Sequence, residues 1–207
     1  MIDVNKILEE AKTTINCDYA EIYNIEDYRN RRLYLNDDID ECSAQGAVYD
    51  ILHINLEDRD IPVDERKPII LYCTSQGGSV DDGFGVIDII ENSKTPVYTV
   101  NLAYQYSMGF LIGLAGKKRY AMPNAKFLMH DGSTFAYDSV SKAHDRLRFE
   151  ERQEKRIKSY VLSHSKLTEE QYDQNYRVEL YTFADEAKKY GFTDYIIGVD
   201  CDLGEVL

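Results

Sequence analysis

The chain has 207 residues, enough for one domain with a buried core, and 43% of them are hydrophobic, with 17 Tyr and no Trp. Lys plus Arg number 24 against 37 Asp plus Glu, a formal charge of −13, which sets aside nucleic-acid backbones and anionic membranes as main partners because both are polyanions. Cys17, Cys42, Cys73 and Cys201 form no CxxC pair, a pattern of reduced thiols rather than of a zinc site or a disulfide framework.

The first 30 residues are mixed and charged, and "VNKILEEAKTTI" reads as a short amphipathic helix. No stretch has signal-peptide form or approaches the ~18 apolar residues of a membrane span, so a cytoplasmic protein is expected. "RRLYLND" reads as a strand, and residues 43–57 carry Val48, Ile51, Leu52 and Ile54 at near-helical spacing. "DRDIPVDERKP", with two prolines, reads as a loop.

From residue 68 strands and helices alternate. "PIILYCT" is a buried strand, "SQGGSVDDG" a glycine turn, "FGVIDIIENS" a helix and "TPVYTVNL" a second buried strand. The turn "YQYS", an apolar helix starting at Ser107 and the strands "KRYAMP" and "AKFLMH" follow. Strands apolar on both faces and joined by helices predict an α/β fold with a largely parallel sheet, whose ligands gather at the strand C-termini. Residues 138–163 form a long helix with only a thin apolar stripe, suited to solvent or to another subunit. The remainder reads as a helix capped at Thr168, a strand near Leu180 and Tyr181, a helix over 184–190 stopped by Gly191, and a last strand.

Three features carry possible chemistry. Ser107 stands at the start of "SMGFLIGLAG", where a serine serves either as an N-cap or as a nucleophile beside free backbone amides. His130 ends the strand "AKFLMH", so its ring emerges at the sheet end either as an ordinary strand-end histidine or as a base. "SQGGSV" lacks both GxGxxG and GxxxxGKS; its bare amides suit an oxyanion hole, a paired peptide strand or a plain turn. Donors, serine and histidine on one sheet edge are the parts of serine acyl transfer. No GxSxG elbow is present, and no HExxH-type spacing suggests a metal.

In this order the motifs "LYCTSQGGSV", "YSMGFLIGLAG", "RYAMPNAKFLMH" and "ADEAKKYGFTDYI" resemble ClpP, the proteolytic subunit of ATP-dependent Clp proteases, from about Arg31 to Ile197. The resemblance implies a ClpP/crotonase-type fold with parallel sheet layers, in one domain over residues 31–207, and a cofactor-free serine endopeptidase acting on peptides or unfolded proteins. Its site would comprise Ser107 as nucleophile, His130 as base, Glu179 in the acidic position, and Gly77 and Met108 as oxyanion donors. Gly78, Gly132, Ser133 and Thr134 would pair with an extended substrate. Heptameric rings, stacked as a tetradecamer and interlocked by the polar helix, and a Clp-type ATPase partner docking near the divergent residues 1–30 are further implications. Departures are Glu179 in place of an aspartate, with Asp131, Asp173 and Asp185 as substitutes, Gln76 in place of proline, "HDG" in place of His-Gln-Pro, and a shorter "AGKKRY". Two rival readings are a ring subunit with little activity and a crotonase-type acyl-CoA hydratase, whose acidic residues have no match here.

Overall fold

The run Ile69–Cys73 is buried at every position, so it needs cover on both faces, and the whole architecture follows from supplying it. In the computed structural model, which describes residues 19–132 and 139–207, this strand (β2) lies in a five-stranded parallel sheet. Its neighbours are β1 (Arg32–Leu35) and β3 (Val97–Asn101), followed by β5 (Lys118–Ala121) and β8 (Tyr195–Ile196). Helix α1 (Tyr19–Arg29) leads into β1.

One face of the sheet packs against α2 (Glu41–Glu57) and α3 (Val80–Asn92). Their buried residues, Ala44, Ala47, Ile51 and Ile54 on α2 and Gly83, Val86, Ile87 and Ile90 on α3, recur every three or four positions as a single helix stripe requires. Asp40 and Ser43 close a reciprocal capping box at the start of α2, with bonds of 2.8 and 3.0 Å. On the opposite face Ile70, Tyr72, Val100 and Tyr120 are covered by Ile197 and Val206 near the C-terminus. The Tyr72 hydroxyl donates to the Val206 carbonyl.

The expectation of a single sheet edge is corrected here. "YQYS" contains a strand, β4 (Tyr104–Tyr106), which pairs in parallel with β6 (Lys126–Met129) in a separate three-stranded sheet. That sheet is completed by β7 (Leu180–Phe183), antiparallel to β6. The two sheets meet where Ser75, just beyond β2, bridges Gln105: Ser75 N donates to Tyr104 O at 3.1 Å and Tyr106 N to Ser75 O at 2.9 Å.

The remaining helices follow the sequence reading closely: α4 (Met108–Leu114), α5 (Val140–His164), α6 (Glu169–Tyr176) and α7 (Ala184–Tyr190). Thr168 and Gln171 form the capping box of α6, and Gly191 ends α7 at φ 74°. Val161 alone is buried among the residues of α5, so most of this 25-residue helix faces outward. The expected helix in "VNKILEEAKTTI", the segment 1–18 around it, and Ser133 and Thr134 lie outside the described residues.

Candidate active site

Strand pairing carries Ser107 and His130 to one place. Ser107 follows β4 directly and its N–H donates to Leu128 O of β6 at 3.0 Å, while His130 follows β6. In the antiparallel ladder Met129 faces Leu180, so the next pair outward is His130 with Glu179. Neither connection depends on a long loop, and both side chains leave the same end of the small sheet.

The backbone at this end is strained. Among the described residues three non-glycine residues have positive φ: Arg31 at 61°, Ser107 at 54° and Glu179 at 54°. With ψ at −120°, Ser107 lies outside the left-handed helical well, a placement that costs about 1–3 kcal/mol and persists only where neighbours enforce it. Here the enforcing bonds are the one to Leu128 O and those from the amides of Phe110 and Leu111 to Ser107 O, at 3.1 and 3.2 Å. Ser107 occupies the N-cap position of α4, yet its hydroxyl makes no capping bond. The capping alternative fails on geometry.

Ser107 and His130 line one small cavity of about 40 Å³ together with Met108, Gly132, Met129 and Tyr176. A space of that size takes water, not a peptide side chain. His130 Nε2 is buried without a hydrogen-bond partner, so Ser107 Oγ is not bonded to it in this state. On the ring's other side His130 Nδ1 lies 3.9 Å from Glu179 Oε1, about 1 Å beyond hydrogen-bond length. The Glu179 side chain is 58% exposed.

The acids considered as substitutes are engaged or directed elsewhere. Asp173 accepts from Lys158 Nζ at 2.7 and 2.9 Å, Asp185 sits in the first turn of α7, Asp131 lines a separate pocket with Lys158 and Asp173, and none of the three pairs with His130. Among the described residues Glu179 is the acid within 4.0 Å of a His130 ring nitrogen. No group of three or more His, Cys, Asp and Glu side chains among them converges to ligate a metal, and no described helix is long and apolar enough to cross a membrane.

The glycine loop lies against the serine from the first sheet. A Cβ on Gly77, at φ 103°, would fall 2.6 Å from Ser107 Cβ and 3.0 Å from Met108 N, so only glycine permits this approach. Gly77 N–H, expected to face an oxyanion, instead donates to Ser75 Oγ at 3.0 Å. Among the described residues no bond occupies Gly78 N–H or Met108 N–H. Sequence reasoning missed Ser75 and Tyr176; the first was visible in "TSQGG" beside the glycines, whereas nothing in "YDQNYR" marks the second.

Comparison with known proteins identifies the family of the chain. The chain is 26% identical over 175 residues to the ATP-dependent Clp protease proteolytic subunit 2 of Treponema pallidum, covering 84% of this chain and 85% of that one. It is 30% identical over 174 residues to proteolytic subunit 3 of a Synechococcus species, covering 81% and 82%. With proteolytic subunit 1 of Frankia casuarinae it shares 30% over 175 residues, covering 81% and 77%. The sequence model of the Clp protease family matches residues 18–200, and the chain belongs to that family.

Proposed function

We propose that the chain is a serine endopeptidase, the proteolytic subunit of a Clp-type assembly, cleaving peptide bonds inside a ring of its own copies. The observation that carries this is Ser107: it is held at a strained φ of 54° without a capping role, in one cavity with a histidine whose buried Nε2 has no partner. Strain of this kind is kept where function uses it. In the reaction Ser107 Oγ attacks the peptide carbonyl carbon and its proton passes to His130 Nε2. Met108 N–H and the open amide of the glycine loop, Gly78 N–H, receive the oxyanion. His130 then protonates the leaving amine, and water, deprotonated by the same nitrogen, releases the acyl group.

Glu179 is the residue that orients His130 through Nδ1. Its separation of 3.9 Å and its exposure weaken that hold, so Glu179→Gln is expected to lower kcat by about 10- to 100-fold, less than loss of a well-placed triad acid. The outward-facing α5 would interlock rings, and Gly78, Gly132, Ser133 and Thr134 would flank an extended substrate. A Clp-type ATPase would deliver unfolded protein.

A second reading, a ring subunit of little activity, is favoured by the missing Ser107–His130 bond and the small cavity. Mass photometry of the full chain, with hydrolysis of a fluorogenic peptide, separates the two. Rings that cleave the peptide support the proposal; rings that leave it intact support the second reading.

A further inference from the structure

We infer that Ser75 is a positioning residue that fixes the oxyanion donors, an inference that rests on the reading of Ser107 as the nucleophile. Ser75 is 1% exposed, and among the described residues its hydroxyl is hydrogen-bonded to Gly77 N–H and to none of Ser107, His130 and Glu179. Its backbone is bonded on both sides to Tyr104 and Tyr106, the strand that delivers Ser107. Gly109 of α4 approaches so closely that a Cβ there would lie 3.0 Å from Ser75 Cβ. Its Oγ accepts the Gly77 N–H at 3.0 Å. One small residue therefore joins the nucleophile strand through its backbone, packs on the helix behind it through Cβ, and holds the glycine loop through Oγ.

The consequence is directional. Gly77 at φ 103° and Gly78 at φ 148° could turn their amides in several ways. With Gly77 N–H committed to Ser75 Oγ, Gly78 N–H is left as the loop's free donor, and Met108 N–H is likewise without a bond, among the described residues. Without that oxygen the buried Gly77 N–H has no partner and the turn rotates to find one. Gly78 N–H then shifts from its place, and catalysis by aligned donors is lost far more steeply than binding.

The test compares Ser75→Ala and Ser75→Thr in the full chain; both keep the backbone bonds to Tyr104 and Tyr106. Ser75→Ala is expected to lower kcat on a peptide ester by about 10- to 100-fold. It should weaken inhibition by a peptide boronate, whose tetrahedral adduct puts an oxygen in the hole, by a similar factor. KM and the thermal midpoint should move little. Ser75→Thr, which keeps the oxygen, should recover most of kcat. Amide exchange supplies a readout that needs no activity: Gly77 N–H should be protected in the native chain and exchange faster in Ser75→Ala. A kcat within twofold of native in Ser75→Ala, or boronate affinity unchanged while kcat falls, overturns the inference, as does an unprotected Gly77 amide in the native chain. Absence of turnover in the native chain would instead overturn the nucleophile reading, and the exchange contrast would still decide whether Ser75 holds the loop.

Discussion

Ser107→Ala and His130→Ala are each expected to lower kcat/KM on a peptide by three orders of magnitude or more, with the double variant no worse than either single one. In the proposed reaction the oxygen and the imidazole act as one unit, since a serine hydroxyl is a poor nucleophile until a base takes its proton, and a base with nothing to deprotonate is idle. Residual turnover should remain in all three variants, because Met108 N–H and the glycine loop keep their places when either side chain is removed. Losses that multiplied in the double variant would mean that Ser107 and His130 do not share a step. Neither substitution should alter stability by much, because Ser107 Oγ makes no capping bond and His130 Nε2 has no partner to lose.

Asp58→Ala is expected to destabilise the fold by about 3 kcal/mol, read as a lower denaturant midpoint, with the site's chemistry untouched. Asp58 is fully buried and its carboxylate takes a two-pronged bond from Arg31, at 2.5 and 2.6 Å, and a third from the Thr95 hydroxyl at 2.7 Å. Removing it leaves the Arg31 guanidinium, 19% exposed, without its counter-charge. Some access to water places the cost at the lower end of the 3–5 kcal/mol range for broken buried pairs. Arg31 at positive φ joins α1 to β1, so the damage should spread from that junction.

The same pair sets a pH dependence. The Arg31 hydrogen bonds hold the Asp58 carboxyl below its ordinary value against the opposing effect of burial, with the Thr95 hydroxyl helping. A folded-state pKa below the unfolded value of ~3.9 means that the stabilisation is complete above it and is lost as pH falls through the folded value. The native chain should therefore lose part of its stability below about pH 4, and Asp58→Ala should lack that component. An unchanged acid profile in the variant would contradict the assignment.

Helices α2, α3 and α7, strand β2, the start at Thr168 and the stop at Gly191 were legible because each is written in local spacing or in a single capping residue. What was not legible depends on which strand pairs with which. "YQYS" reads as a turn because Gln105 interrupts the apolar pattern, yet Gln105 is buried and its neighbours form a strand of a second sheet. The charged run "DRDIPVDERKP" gives no sign that one of its acids, Asp58, is fully buried.

At the site, Ser107 and His130 were readable from their element ends, and Glu179 came from the resemblance alone. The register that sets it opposite His130 exists only once β6 and β7 are paired. The commitment of Gly77 N–H to Ser75 Oγ was out of reach for the same reason. It joins residues two apart in sequence, and the Ser75 backbone from which that contact is made is held by its bonds to Tyr104 and Tyr106 of the second sheet.

The central claim is that Ser107 is a nucleophile activated by His130, and covalent labelling tests it most directly. Treatment of the full chain with a fluorophosphonate, followed by mass spectrometry of the digested protein, is expected to place a single phosphonyl adduct on the peptide containing Ser107. Ser107→Ala should show no adduct there, and His130→Ala should label far more slowly. A correctly assembled ring that takes up no label at Ser107, or that labels equally fast without His130, would contradict the account.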